Sequence, residues 1–218
     1  MDLSNCSASI VMRKIERTFP YNGTPALTLS VLYPEVTLRR YPDAQNRINF
    51  QIQAQVRDFL HYASDDLYQQ AITTYQESQK NGFPFHPYEA VLQYEITYNQ
   101  HCYLSLYRDQ YTFTGGAHGS TVRTSDTWNL MSGRSIPLSD FFPAGQDYRA
   151  SLINQMIKQA SENPEIYFED YPALIAKYFN EDHYYLTPSG VSIYYQQYEI
   201  APYSTGIVVF SIPYMHPS

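Results

Sequence analysis

The hydrophobic period of this chain changes four times, and that change restricts the fold more than any other feature. Residues 9–19 and 27–38 alternate between apolar and polar positions, which is typical of strands. From residue 43 to residue 75 the apolar residues recur at every third or fourth position, which predicts a long amphipathic helix. Alternation returns over residues 88–130. Strands, helix and strands in this order predict an α+β fold.

The ends of the long helix can be placed from its flanking residues. Asp43 precedes the first apolar position of the repeat, so we expect it to be the N-cap. Asn81-Gly82 should end the helix, since glycine readily adopts the conformation that follows a last helical turn. The polar run Ser64-Asp65-Asp66 predicts a break within it.

The C-terminal half repeats this arrangement of elements. Helical spacing occurs twice and alternation three times, over residues 148–160, 171–178, 184–187, 191–196 and 207–213. We therefore predict an antiparallel β-sheet meander, with a long helix in the N-terminal half and two helices in the C-terminal half packed on it. We place two α+β subdomains at residues 1–119 and 120–218 and expect them to pack as one compact unit.

Charge and hydropathy restrict the class of partner. The chain has 14 Lys and Arg against 21 Asp and Glu, which gives a formal charge of -7. This balance disfavours nucleic acids and anionic lipid surfaces and suits a cationic partner. No apolar run is long enough to span a bilayer, and no hydrophobic signal core follows Met1. We therefore expect no membrane insertion by this segment.

The two cysteines, Cys6 and Cys102, bear on the cellular compartment. Their number is even and neither belongs to a CxxC motif, so one long-range disulfide is one interpretation and two buried thiols are the other. A disulfide would require an oxidising compartment. Tyrosine is abundant, with 23 residues, and this also suggests an extracytoplasmic protein.

A glycine-rich segment, YTFTGGAHGS at residues 111–120, lies between two predicted strands. Glycines allow backbone angles that side chains forbid and let another chain approach closely. One interpretation is a bend in a sheet that carries an ordinary histidine. The other is a ligand-binding loop, formed by Tyr111, Gly115, Gly116, His118 and Gly119.

A second candidate set lies near the C-terminus and comprises Tyr195, Tyr198, Glu199 and Tyr203. Tyrosine offers a large contact area and a hydroxyl group, and it is enriched at interfaces. Because residues alternate faces along a strand, any of these rings could instead fill the core. Glu199 could equally cap a backbone amide.

Catalytic motifs are scarce in the sequence. The six histidines form no HExxH pattern, and neither a GxSxG elbow nor a phosphate-binding loop is present. We therefore predict no metal, no cofactor and no catalytic residue. The remaining acid–base set would pair His118 with Glu199 or Asp126, and it defines a cell-wall hydrolase as an alternative.

Three segments resemble a known family: YTFTGGAHGS, WNLMSGRSIPLSDFF and YYLTPSGVSIYYQQYEIAPYSTGIVVFSIPY. They are similar to the extracytoplasmic domain of unknown function in RsiV-type, lysozyme-binding anti-sigma factors. A similar module accompanies certain peptidoglycan deacetylases. Residues 120–214 carry most of the resemblance, and the residues before them are similar to its smaller partner domain.

The resemblance implies an extracytoplasmic sensor module that binds a protein, such as a lysozyme, or a peptidoglycan-derived glycan. The sequence has no transmembrane helix, no sigma-binding region and no metal-binding deacetylase motif, so we expect a binding module rather than an enzyme. A dimerising structural domain without a ligand remains a further alternative.

Overall fold

The structure, a computed structural model, describes residues 6–143 and 147–214, so His216 lies outside the described residues. Contacts divide the chain into two units. The N-terminal unit comprises Ala8–Tyr94 and Arg108–Val122. The C-terminal unit comprises the described residues of Met1–Ser7, Glu95–Tyr107 and Arg123–Ser218. The division therefore differs from the predicted boundary after residue 119, because a hairpin tip from the first half of the sequence belongs to the C-terminal unit.

The N-terminal unit begins with two antiparallel strands, β1 (Ser9–Tyr21) and β2 (Thr24–Thr37). Asn22 and Gly23 form the connection, and both have positive φ angles, 48° and 79°. Two-residue hairpin turns with two positive φ angles match the twist of the strands that they join. The register shifts between Phe19 and Pro20, where a bulge accommodates proline in the ladder.

Two helices follow, α1 (Pro42–His61) and α2 (Tyr68–Asn81), and both pack against β2. The predicted N-cap was wrong: Tyr41 occupies that position, and Pro42 supplies the first turn with a preset φ. The predicted break is a wider π turn over Tyr62–Leu67, which joins α1 directly to α2. Gly82 ends α2 at φ 70°, as expected. The buried face comprises Ala44, Ile48, Ile52, Val56, Phe59, Ala63, Leu67 and Ala71.

Strands β3 (Tyr88–Gln100), β4 (Tyr103–Phe113) and β5 (Ser120–Asn129) complete a five-stranded sheet in the order β1-β2-β3-β4-β5. The prediction of a wholly antiparallel sheet was wrong at one pairing, because β2 and β3 are parallel from Leu27↔Tyr88 to Leu32↔Gln93. The helices between these strands form a crossover that returns the chain to the same end of the sheet. The predicted α+β class is confirmed, with the long helical region in the N-terminal half.

A turn and a disulfide occur together between β3 and β4. His101 and Cys102 have φ angles of 53° and 62°, which are unusual for residues other than glycine. Cys102 forms a disulfide with Cys6, and its amide donates to Cys6 O at 2.9 Å. Of the two interpretations of the cysteine pair, the structure contains the disulfide. These contacts hold the turn in a conformation that costs backbone energy.

The C-terminal unit contains a three-stranded antiparallel sheet, β6 (Tyr184–Thr187), β7 (Gly190–Tyr195) and β8 (Val208–Pro213), with β7 in the centre. Helices α3 (Tyr148–Ala160) and α4 (Tyr171–Tyr178) are the two predicted helices. Every residue of β7 is buried. Trp128, the single tryptophan of the chain, is fully buried in the part of β5 that belongs to this unit. The core cluster includes Leu152, Met156, Ile175, Ile193, Tyr195, Phe210 and Ile212.

Candidate functional site

The predicted binding residues fall into both units. The N-terminal unit contains Tyr111, Gly115, Gly116, His118 and Gly119, and the C-terminal unit contains Tyr195, Tyr198, Glu199 and Tyr203. Each set is described within its own unit.

The glycine-rich segment forms the connection between β4 and β5, and its first glycine has a backbone role. Gly115 has a φ of 81°, in the left-handed region that favours glycine. A Cβ there would lie 3.5 Å from His86 O, so the loop also packs against the residues just before β3. Gly116 is exposed, and a Cβ there would contact nothing within 4 Å. His118 is exposed as well, with Nδ1 3.4 Å from Gly119 O.

The third glycine is explained by a tyrosine of the same segment. The ring of Tyr111 covers the α-carbon of Gly119, so that a Cβ on Gly119 would lie only 2.3 Å from the ring atom Cε2. Gly119 is buried and Tyr111 is half-buried. The close approach that this glycine permits is therefore made by the chain itself.

We expect Gly119→Ala to lower the free energy of unfolding of the N-terminal unit by about 1–3 kcal/mol, because the methyl group would push the Tyr111 ring from its position. Urea denaturation would measure the loss. Gly116→Ala is the matched control and should cost less, since the space around Gly116 is open. Gly119→Ala in a Tyr111→Ala background should cost less than in wild type, and an equal cost would contradict the contact.

Tyr195 lies in the core of the C-terminal unit. Its side chain is 1% exposed, and its hydroxyl donates to Ile175 O at 2.8 Å. Its ring packs edge-on against Phe210, with ring centroids 5.9 Å apart. A ligand could reach this ring only by opening the core. For Tyr195 the structure therefore shows core packing, which was the alternative to ligand contact.

Tyr198 has the opposite environment. It is 58% exposed and has a φ of 66°, which is a strained angle for a bulky residue. Its ring lies 5.7 Å from that of Tyr203, which is half-buried. Strain of this kind is often found at binding sites, where a side chain is held in place for contact with a ligand.

Glu199 holds the turn that presents Tyr198. Its Oε2 accepts a hydrogen bond from the amide of Gln196 at 2.7 Å, so the backbone-capping role is present. The side chain of Gln196 in turn accepts from Arg123 N at 2.9 Å and donates to Arg123 O at 2.6 Å. This double hydrogen bond fixes the segment 196–199 to β5.

Glu199 also lines a groove of about 480 Å³, which we call the His183 groove. The groove carries two cations, two carboxylates, an imidazole and two aromatic rings, from Arg149, Lys177, Glu181, Glu199, His183, Tyr178 and Phe179. Sequence reasoning identified only Glu199, because the other residues come from α3, the end of α4 and the loop before β6. Their spacing in the sequence follows no motif.

His183 has an incompletely satisfied imidazole. Its ring stacks on Tyr194 with centroids 4.8 Å apart, and its buried Nδ1 has no hydrogen-bond partner among the described residues. Burial lowers the pKa of His183, while Glu199 and Asp182 act in the opposite direction. The imidazole is therefore neutral at pH 7, and it can donate one hydrogen bond and accept another.

The charged residues of the groove are partly engaged with one another. Arg149 pairs with Glu181 at 3.4 Å and lies over the ring of Phe179 at 5.4 Å. Lys177 lies over the ring of Tyr178, 4.7 Å from its centroid. The arrangement offers positive, negative and neutral polar groups on an aromatic surface, which suits a ligand that carries more than one kind of polar group.

A row of aromatic rings positions His183. Tyr194, on which it stacks, is 6.2 Å from Tyr185, and Tyr185 is 5.1 Å from Tyr107. The guanidinium of Arg123 lies 3.7 Å over the ring of Tyr107. All of these residues belong to the C-terminal unit. Much of the tyrosine content is therefore used for packing.

The structure is thus an α+β protein of two units, in which a polar groove includes Glu199, the residue next to the exposed Tyr198. Comparison with known families assigns the two halves of the sequence to different families. The family described as Deacetylase PdaC matches residues 22–121, and the family described as a protein of unknown function, DUF3298, matches residues 139–215. The two matched segments follow one another in the sequence without overlapping.

Two solved structures are similar over nearly the whole chain. A member of the DUF3298 family from Bacteroides fragilis is 19% identical with a TM-score of 0.75, covering 97% of this chain and 92% of that chain. A DUF3298 family protein from Pseudomonas aeruginosa is 18% identical with a TM-score of 0.60, covering 97% and 93%. At this identity the similarity shows the fold alone. No curated protein matches the chain.

Residues 6–143 and 147–214 contain neither a membrane-spanning helix nor a cluster of metal-ligating side chains. No helix among them is long and apolar enough to cross a membrane. No group of three or more His, Cys, Asp or Glu side chains among them could hold a metal ion.

Proposed function

We propose that this chain is an extracytoplasmic ligand-binding module of the bacterial cell envelope, and that the His183 groove together with Tyr198 forms its contact surface. The ligand is a lysozyme-like protein or a peptidoglycan-derived glycan. The observation that carries the proposal is the exposed ring of Tyr198, held at a φ of 66° next to Glu199 of the groove. A strained and exposed aromatic residue beside a polar groove is best explained by a ligand.

Two findings support the cell-envelope location. The Cys6–Cys102 disulfide is of the kind that persists in oxidising compartments. The family that matches residues 22–121 is named after a deacetylase, and the original resemblance connects such domains with envelope proteins. Both point to a place of action outside the cytoplasm.

Binding rather than catalysis is supported by the contacts of three ionisable groups of the groove, Glu199, Arg149 and Glu181. Glu199 accepts a backbone hydrogen bond, and Arg149 is paired with Glu181. A general acid or base has to be within reach of the proton that it transfers, and these groups already serve as structural contacts. We therefore assign them to holding the groove in shape.

Because the net charge is -7, the two ligand classes should differ in how strongly their binding depends on salt. A strongly cationic protein would be attracted over a distance, so its association rate should fall as salt increases. A neutral glycan would bind through stacking and hydrogen bonds, with little dependence on salt. Binding at low and high ionic strength separates these ligands.

We expect Tyr198→Ala to weaken binding by about tenfold, since buried tyrosine contacts at interfaces are worth about 1–2 kcal/mol. Calorimetric titration with lysozyme, and separately with soluble muropeptides, would measure the change. Phe83→Ala is the matched control, because Phe83 is an exposed aromatic residue, 68% accessible, that lines neither the groove nor the tyrosine pair.

Loss of binding in both variants, or in neither, would contradict the assignment of the surface. If wild-type protein turned over muropeptides and His118→Ala did not, the hydrolase alternative would replace the binding module. If no ligand bound and the mass depended on concentration, the chain would be a dimerising structural domain.

A further inference from the structure

A second and larger groove lies in the N-terminal unit, and none of the binding residues predicted from the sequence lines it. Its volume is about 940 Å³, and it follows the π turn and the first turns of α2, with Tyr88 from β3 at its side. We call it the π groove. All of its lining residues belong to the N-terminal unit.

The π turn determines which side chains line this groove. Ala63 and Leu67 are fully buried, so the residues between them are turned outward. Asp65 and Asp66 are both exposed, and both line the groove. A π turn widens the helix locally and is frequent at functional sites. Here it places two adjacent carboxylates on the outer surface beside the groove.

Several polar groups of the π groove are available to a ligand. The side chains of Asp66, Gln69 and Gln70 make no hydrogen bond or ion pair with other described residues. Asp65 has two contacts: its Oδ2 lies 3.4 Å from His61 Nδ1, and its Oδ1 accepts a hydrogen bond from the Ser64 hydroxyl at 3.3 Å. Amide groups donate and accept hydrogen bonds, whereas ionised carboxylates only accept them. The groove therefore presents more acceptors than donors.

Aromatic surface accompanies these polar groups. Tyr62 is 38% exposed at one side of the groove. The hydroxyl of Tyr68 donates to Pro20 O at 2.7 Å, which fixes this half-buried ring in position. Tyr88 is only 5% exposed and serves for packing, with its hydroxyl 2.8 Å from Thr74 Oγ1. Rigid tyrosines with adjacent amides are suited to flat, hydroxyl-bearing ligands, since the ring packs on C–H groups while the amides bind hydroxyls.

The charge of the lining decides between kinds of sugar. Two carboxylates line the π groove, and no lysine or arginine does. An anionic ligand would be repelled, and a ligand that carries ammonium groups would be attracted. We propose that the π groove binds an oligosaccharide of amino sugars with free amino groups. This site is separate from the His183 groove and does not depend on the function proposed above.

The test is a titration of the full chain with three oligosaccharide probes, followed by NMR or calorimetry. The probes are a glucosamine tetramer, an N-acetylglucosamine tetramer and a galacturonate tetramer, which are cationic, neutral and anionic. The cationic tetramer should bind most tightly and the anionic one should not bind. The affinity for the glucosamine tetramer should fall as the pH rises above the pKa of the sugar amine, because the ammonium groups lose their protons.

Variants locate the site. Asp66→Asn should weaken binding of the glucosamine tetramer by about two- to fivefold, as expected for one exposed ion pair. Tyr62→Ala should weaken binding of both the glucosamine and the N-acetylglucosamine tetramers. Glu77→Gln and Phe50→Ala are the matched controls, because Glu77 is an exposed carboxylate on α2 and Phe50 an exposed ring on α1, and neither lines the groove. Both controls should bind as wild type does.

Three results would overturn the proposal. One is the absence of binding to any of the probes. Another is an equal effect of Glu77→Gln and Asp66→Asn, because this would show attraction by net charge alone. The third is binding of polylysine as tight as that of the glucosamine tetramer and unaffected by Tyr62→Ala, which would indicate a cationic peptide as the ligand.

Discussion

Replacing Tyr195 with alanine is expected to lower the free energy of unfolding of the C-terminal unit by about 3–5 kcal/mol. The side chain is 1% exposed and packs against Phe210, so its removal leaves a cavity in the centre of the core. The loss also leaves Ile175 O without the hydroxyl that donates to it at 2.8 Å. Chemical denaturation followed by the fluorescence of Trp128 would measure the change.

Two further variants separate the parts of this effect. Tyr195→Phe keeps the ring and removes the hydrogen bond, so it should cost about 1 kcal/mol. Tyr198→Ala, three residues along the chain, should change stability by less than about 0.5 kcal/mol, because its ring is exposed. A stable Tyr195→Ala protein that has lost ligand binding would show instead that Tyr195 is a binding residue.

Reducing the Cys6–Cys102 disulfide is expected to destabilise the protein by about 2–5 kcal/mol. The bond closes a loop with a sequence separation of 96 residues, and long loops gain the most from closure because the unfolded chain loses more freedom. Reduction should also release the turn at His101 and Cys102, whose positive φ angles are held by the contacts of Cys102. Urea denaturation with and without a reducing agent gives the difference.

The double variant Cys6→Ser, Cys102→Ser is the control for the reducing agent. It should have the stability of the reduced wild-type protein, and the reducing agent should not change it further. If oxidised and reduced wild-type protein unfolded at the same urea concentration, the disulfide would have no stabilising role.

Most of the fold could be predicted because local patterns decide it. The period-two strands, the long helix and its end at Gly82 follow from spacing and from residue types that favour one backbone conformation. The π turn at Tyr62–Leu67 appeared in the sequence as a polar interruption, but no local signal separates a widened turn from a break. The N-cap was misplaced because proline at the first helical position competes with the preference for a capping aspartate.

Strand pairing was harder to predict than the strands themselves. The parallel pairing of β2 and β3 depends on where a crossover of two helices returns the chain, which is a property of the tertiary fold. The division into units has the same origin, because Glu95–Tyr107 lies with residues far away in the sequence. Local patterns do not encode such long-range contacts.

The candidate site could be predicted only in part. Exposed Tyr198 and the groove residue Glu199 were identified from their sequence context, whereas Tyr195 is a core residue and Gly119 makes room for the Tyr111 ring. Arg149 and His183 were missed because groove residues from different elements share no spacing. Residue type does not separate core tyrosines from exposed ones, and the burial that separates Tyr195 from Tyr198 depends on the tertiary fold.

The position of the single tryptophan gives the protein a built-in reporter. Trp128 is fully buried and belongs to the C-terminal unit, so a red shift of its emission should follow the opening of that unit alone. The helical circular dichroism should mainly follow the other unit, because α1 and α2 are longer than α3 and α4. Recording both signals during one thermal denaturation would show whether the two units unfold together or one after the other.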